Sequence, residues 1–279
     1  MKIGLGLPTS NPELLYEWAR LADSGPFSTL GLLDRLAWDN PEPLITLAAL
    51  AGVTSRIRLQ TEVLLVPLRQ PALLASQVAT LDRMSSGRFT LGVGVGGRVD
   101  DELAAGVPHT GRGARMDAAL AQLKALWSGN PGEGPVGPSP TRAGGPEILV
   151  GAFRPAALAR VARFGDGLLC AAAASWAGPL LDTVRRQWVE AGRTGEPRNV
   201  AQVNVAIGPD EVTAQARDAI SSYYAFTGDP ARAVGGLLTT PAEIRDSVRA
   251  FTDLGVDEVM LYCWSSDPAQ VERLMPAIS

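Results

Sequence analysis

The sequence predicts an α/β fold, a closed (β/α)8 TIM barrel, and three observations predict it. Short β-like runs alternate with amphipathic helical stretches along the whole chain, eight times in 279 residues, close to the about 250 residues such a barrel uses. The rhythm is even and no linker interrupts it, so residues 1–279 read as one domain, whereas an open doubly wound sheet seldom needs eight such regular units. The best-defined unit, residues 55–97, reads strand, helix, strand, and its second strand runs into Gly92, Gly94, Gly96 and Gly97. Glycines at those places remove side chains where the strand meets its loop and let a ligand approach the backbone.

The strands are predicted at Lys2–Leu7, Thr29–Leu33, Ile57–Val66, Arg88–Val95, Glu147–Ala152, Gly167–Ala171, Val200–Ile207 and Glu258–Tyr262. The helices between and after them are predicted at Pro12–Ala22, Pro43–Val53, Pro71–Met84, Ala114–Trp127, Pro155–Phe164, Trp176–Ala191, Pro209–Tyr224 and Pro241–Leu254. In the third strand the apolar run Leu64, Leu65, Val66 stops at Pro67, and Pro71 suits the first turn of the following helix. That helix sets Leu73, Leu74, Val78, Leu81 and Met84 at three- and four-residue spacing, predicting one buried face. Gly87 ends it, and Phe89, Leu91, Val93 and Val95 alternate as the next strand. The Gly- and Pro-rich stretch Ser128–Pro146 is too irregular for a helix, and Ala225–Thr239 reads either as a lid or as a long connection.

Hydrophobic residues at 46% and charged residues at 19% supply a sizeable core and exclude a disordered chain. A net charge of −4 gives no electrostatic reason to expect nucleic acid or an anionic membrane. No leader-like segment opens the sequence, and no uncharged run reaches the roughly 18 residues of a spanning helix. Cys170 and Cys263 are the two cysteines, each at the end of a predicted strand, so neither a disulfide framework nor a zinc site is expected and a cytoplasmic setting fits. His109 is the single histidine, which removes histidine-rich metal sites, and there is no GxSxG for a serine hydrolase.

Barrel enzymes work at the carboxyl ends of their strands. Those ends are Leu7-Pro8, Asp34-Arg35, Thr61-Glu62-Val63, Val95-Gly96-Gly97, Phe153-Arg154, Cys170 and Tyr262–Trp264. Phe153-Arg154-Pro155 forms the best anion site, because Pro155 stands at a first helical position and leaves free N–H groups facing the strand end. The alternative is an ordinary surface arginine beside a helix start. Asp34 and Arg35 are either chemical groups, with Arg35 stabilising a developing anion, or an ion pair that serves as structural glue. His109, in a loop before the fourth helix, is either a general acid or base or a solvent-facing hydrogen-bond partner. Tyr223 and Tyr224 are either phenol donors to a substrate or packing residues, and Trp38 likewise stacks in a pocket or in the core. The glycines at 92–97 do not form a dinucleotide-binding GxGxxG.

The stretches TSRIRL and VLLVPLRQPALLASQVATLDRMSSGRFTLGVGVGG, flanked by LLDRLAWDNPEPLITLAALAGVTSRI and DELAAGVPHTGRGARMDAALAQLKALW, resemble the bacterial-luciferase-like monooxygenases. Weaker echoes follow in RPAALARVARFGDGLL and LGVDEVMLY. The resemblance implies a flavin-dependent oxidoreductase that takes reduced FMN from a separate reductase, activates oxygen and oxygenates a small organic substrate. The alternative within the family is hydride transfer with the deazaflavin coenzyme F420, and a further alternative is a non-catalytic or cofactor-free relative. The resemblance places a cis peptide between Glu62 and Val63, against one face of the ring, with Glu62 standing where a small residue is usual. Either Glu62 hydrogen-bonds the ring or substrate, or the bulge is absent and Glu62 is solvated. The resemblance also places the cofactor phosphate near Arg154, with Val95 and Ala157 where relatives carry an arginine and a hydroxyl residue. Together these readings put Asp34, Arg35 and His109 forward as catalytic residues, Arg35 standing where the resemblance puts a strand-end histidine, and Glu62, Val63, Val95, Gly96, Gly97, Gly151, Phe153 and Arg154 as cofactor contacts. A homodimer through the second and third helices, tested at Leu81, is expected by the same likeness, and a bacterial source fits.

Overall fold

The computed structural model describes residues 1–7, 11–129 and 136–278. Pro8 of the first strand end and residues 130–135 of the Gly/Pro-rich loop lie outside the described residues. The strands are β1 (Lys2–Gly6), β2 (Thr29–Leu32), β3 (Arg58–Thr61), β4 (Leu64–Leu65), β5 (Phe89–Gly94), β6 (Glu147–Gly151), β7 (Gly167–Cys170), β8 (Arg198–Val205) and β9 (Glu258–Cys263). All pair in parallel in the order β3-β2-β1-β9-β8-β7-β6-β5-β4, and β3 also pairs with β5, which closes the sheet into a barrel of eight staves. The predicted third strand, Ile57–Val66, is not continuous: it breaks into β3 and β4, which share one stave.

The helices are α1 (Leu15–Ser24), α2 (Pro43–Ala51), α3 (Pro71–Met84), α4 (Val99–Ala104), α5 (Arg112–Trp127), α6 (Pro155–Phe164), α7 (Ala174–Glu190), α8 (Asp210–Tyr224), α9 (Ala231–Gly235), α10 (Pro241–Asp253) and α11 (Gln270–Ile278). The sequence periodicity missed the two short helices α4 and α9 and the closing α11. In α3 the buried residues are Leu74, Val78 and Leu81 with Ala75, Ala79 and Asp82, while Leu73 and Met84 are exposed. The expected single face is therefore too wide. At 100° per residue Leu73 and Met84 share a rim outside the core stripe.

The main core lies between the strands and the surrounding helices. Inside the barrel, side chains alternate along each strand and stack in layers. At the amino end Glu147 and Glu258 meet Arg198, Arg58 reaches Glu147 at 3.1 Å, and Ser28 also bonds Glu258. Above this ionic floor lies a small apolar layer of Leu149, Leu169, Val200 and Met260, with Val63 against it. Glycines on one stave admit large side chains from the next: a β-carbon on Gly4 would overlap the Met260 thioether, and one on Gly6 the Tyr262 ring. Among the described residues, a closed floor and a packed middle leave the barrel open at its carboxyl end.

Candidate cofactor cavity

The third stave carries a bulge. Four steps of chain from Gln60 to Leu64 lie opposite three from Thr90 to Val93, and the extra residue bends the stave at the barrel mouth. The Glu62–Val63 peptide in the bulge is cis, at the bond the resemblance singled out. The bulge is tied on both sides: Glu62 N–H donates to Leu32 O at 2.8 Å and Thr61 Oγ1 to Gly92 O at 2.7 Å. Gly94 leaves room for the Val63 side chain, which a β-carbon there would overlap, and a β-carbon on Gly151 would come 3.0 Å from Val63. These glycines thus seat the bulge rather than a ligand.

Asp34 accepts from Leu65 N–H at 2.8 Å and from Arg69 at 2.9 and 3.0 Å, and Arg69 continues to Glu42 at 2.8 Å. Burial outweighs Arg69 and leaves the Asp34 carboxyl above its ordinary pKa. The expected Asp34–Arg35 pair does not form. Arg35 turns to α4 instead, where its Nε donates to Asp101 at 2.6 Å and its Nη2 to Asp100 at 2.8 Å. Asp101 also accepts from Leu36 N–H and Ala37 N–H, so one carboxylate fixes both the guanidinium and its backbone. Arg35 lies beside Trp38 and Tyr223, 5.5 and 5.6 Å from their ring centres, and its Nη1 is buried with no partner.

Between these groups opens a cavity of ≈ 210 Å³, lined by Asp34, Arg35, Glu62, Val63, Leu65, Gly96, Gly97, Arg98 and Asp101, with Tyr223, Tyr224 and Phe226 at its side. It is smaller than the ~300–1,000 Å³ of a site that encloses a drug-sized molecule whole, so it has room for only part of one and stays open outward. Arg98 holds the aromatic side. Its guanidinium carbon lies 4.3 Å from the Tyr223 ring centre and 3.8 Å from that of Phe226, and its Nη2 donates to Tyr223 O at 2.6 Å.

Glu62 is 7% exposed. Gln60 Nε2 donates to its Oε1 at 2.8 Å, and Oε2 is buried without a partner among the described residues. Burial, reinforced by the Glu258 charge below and only partly offset by Gln60, pushes its pKa up to about 8. Tyr224 is pushed up to about 12 by burial, Tyr223 is raised for the same reason, and Tyr262 is raised by burial and by facing Glu62. The phenols at the mouth therefore stay protonated at neutral pH and remain donors.

The structure brings Asp34, Arg35, Glu62, Val63, Gly96 and Gly97 to one cavity. Val95, Gly151, Phe153, Arg154 and His109 stand outside its lining. Phe153 and Arg154 are exposed at the start of α6, Phe153 lying 5.7 Å from Trp176. His109 Nδ1 is bonded to Glu102, and Arg112 Nη1 lies 2.8 Å from its Nε2, both on the outer side of α4. Sequence reasoning missed Arg98, Asp100, Asp101 and Arg69. The one available signal was the run Val99-Asp100-Asp101-Glu102, acidic residues in the first turn of a short helix.

A donor set of phenols, guanidinium and an orphaned carboxyl beside a backbone left bare at Gly96 and Gly97 fits a flat heteroaromatic ring rich in carbonyl oxygens and ring nitrogens. A family model described as luciferase-like monooxygenase matches residues 2–271. An uncharacterised protein of Mycobacterium tuberculosis is 33% identical over 181 residues, 61% of this chain and 64% of that protein. The chain thus matches less than two thirds of that relative's length. Among solved structures, an F420-dependent secondary alcohol dehydrogenase in complex with an F420-acetone adduct superposes with a TM-score of 0.85 at 17% identity, covering 100% of this chain and 99% of that one. The oxygenating constituent of 3,6-diketocamphane monooxygenase of Pseudomonas putida, in complex with FMN, gives a TM-score of 0.77 at 18% identity, covering 99% and 96%.

Proposed function

The chain belongs to the luciferase-like monooxygenase family, and from that premise we propose that it binds reduced FMN, delivered by a separate reductase, and oxygenates a small organic substrate. The observation that carries the reading is the bulge between Gln60 and Leu64, which turns Glu62 and Val63 into a cavity that also holds the unpartnered Nη1 of Arg35 and the bare backbone of Gly96 and Gly97. When bound, the ring supplies the electrons and the activation of oxygen. The protein's residues do the rest. Val63 and Leu65 offer the ring an apolar face, and the Gly96–Gly97 backbone its edge. Arg35, held by Asp100 and Asp101, offers Nη1 to an oxygen of ring or substrate. Its guanidinium stays charged under ordinary conditions, so it stabilises an anion and moves no proton. The aromatic wall of Tyr223, Tyr224 and Phe226 excludes water from that side. Arg154, at the helix start after the fifth stave, β6, is the proposed phosphate contact, and His109, outside the cavity lining, is retained only as a proton carrier.

The second reading is hydride transfer with coenzyme F420, which the F420-dependent dehydrogenase of like fold favours. Anaerobic calorimetric titration with reduced FMN and with reduced F420 separates the two. Saturable binding of reduced FMN and oxygen-dependent turnover support the oxygenase. Preference for F420 moves the assignment to hydride transfer, and binding of neither overturns both. We also propose a homodimer through α2 and α3, because Ile45 is 71% exposed, Leu73 59% and Met84 56%. Leu81, expected in that face, is 2% exposed and belongs to the core.

A further inference from the structure

Glu62 is an expensive residue to place where it is. A lone carboxylate leaves water only when a cation or several donors compensate it. Among the described residues, every charged or titratable group around it fails to do so. Below it on β9 stands Glu258, itself engaged by Arg198, and above Glu258 on the same strand is Tyr262, whose hydroxyl accepts from Leu33 N–H at 3.0 Å. At the mouth, Arg69 is held by Asp34 and Glu42, and Arg35 by Asp100 and Asp101. On the aromatic side Arg98 packs against Tyr223 and Phe226, with Tyr224 beside them. From β3, Gln60 gives one neutral donor to Oε1, and β2 offers only Gly31, whose missing side chain is what admits the carboxyl at all.

We propose that Glu62 is a ligand-binding residue of the cavity, an un-ionised carboxyl whose Oε2–H donates to an acceptor atom, a carbonyl oxygen or a nitrogen, on a flavin-type ring. The role rests on the flavin reading for its ligand, while the state of the carboxyl is a property of the protein alone. Oxygen Oε1 is already an acceptor, taken by Gln60, so the proton resides on Oε2, the atom without a partner. Placement in the bulge puts Glu62 among the residues that line the cavity, with Oε2 itself buried at its wall. The raised pKa, about 8, agrees with the geometry and sets where the donor is lost. An isolated carboxyl of this kind discriminates: it rewards a ring with an acceptor at that point and leaves an apolar molecule facing an unpaired polar group.

The test uses the full-length protein and two variants. Glu62→Gln keeps a donor of the same shape but cannot ionise, and Glu62→Leu keeps the bulk and removes the donor. Infrared spectra of the ligand-free wild type at neutral pH should contain the carbonyl stretch of an un-ionised carboxylic acid, absent from both variants and disappearing in the wild type above pH about 8. In titrations with FMN and with F420, Glu62→Leu should bind the preferred ring roughly tenfold more weakly, and Glu62→Gln should match the wild type at neutral pH. Above the titration of Glu62, wild-type affinity should fall relative to Glu62→Gln by about tenfold per pH unit, a comparison that cancels the ring's own ionisations. Absence of the acid band, or equal affinities for wild type and Glu62→Leu at every pH, overturns the proposal and leaves the flavin reading standing. Failure of the wild type to bind either ring overturns the flavin reading together with the ligand half of this one, and the acid band then decides the remainder.

Discussion

Gly31 and Glu62 share one space: a β-carbon on Gly31 of β2 would overlap the carboxyl group that Glu62 projects from the neighbouring stave. The same exchange of small for large recurs next door, between Gly6, the register partner of Gly31 on β1, and Tyr262 on β9. Glycine on one strand is here a condition for a polar side chain on the next. The expected result of Gly31→Ala is a loss of about 1–3 kcal/mol, the usual cost of adding a methyl to a filled interior. Combining it with Glu62→Ala should recover most of that loss in denaturant melts, because the two changes act on one space. Additive losses would show that the two side chains do not compete.

Glu62 also makes stability depend on pH. The folded protein keeps its proton up to about 8, whereas the unfolded chain releases it near 4.5. Between those values the unfolded state binds fewer protons, so stability falls as pH rises, by up to about 1.4 kcal/mol per unit. Glu62→Gln should therefore melt at a higher temperature than the wild type at pH 8 and at nearly the same temperature below pH 4.5. An unchanged difference between the two across that window would mean that Glu62 is ionised in the fold.

Asp100 and Asp101 both touch Arg35, but their side chains are 55% and 3% exposed. Removing a buried partner strands the charge left behind, at about 3–5 kcal/mol, while an exposed ion pair contributes about 0–1 kcal/mol. Asp101→Ala is expected to destabilise strongly, and more so because Leu36 and Ala37 lose their acceptor. Asp100→Ala should be nearly silent. Equal effects of the two in urea unfolding would contradict the placement of α4 over Arg35.

The proposed dimer is probed at the rim of α3. Leu73→Asp is expected to leave the melting temperature within a few degrees and shift light scattering to the monomer mass. Leu81→Asp buries a charge in the core and should unfold the chain. A dimer mass retained by Leu73→Asp would remove α3 from the interface.

How far the sequence reached follows from the range of the forces involved. Alternation along Phe89, Leu91 and Val93 and the three- and four-residue spacing of Leu74, Val78 and Leu81 are local patterns. Each reports which side of one element meets a core, and summed over the chain they amount to a barrel. Gly96 and Gly97 were legible for the same reason, since a missing side chain at a strand end has meaning without knowledge of its neighbour. The bulge and its cis bond were reached only through family resemblance, because a one-residue slip between β3 and β5 leaves no periodic trace. The ionic partners were out of reach altogether. Arg35 is adjacent to Asp34 in sequence yet pairs with Asp101, sixty-six positions away, and Asp34 pairs with Arg69, thirty-five positions away. Charges have no period, and which two of them meet is decided by where closure of the barrel brings the loops. The sequence by itself determined the eight staves, eight of the helices packed around them and the end of the barrel that is open. Tertiary structure alone decided that Glu62 would stand in that opening with no cation to claim it.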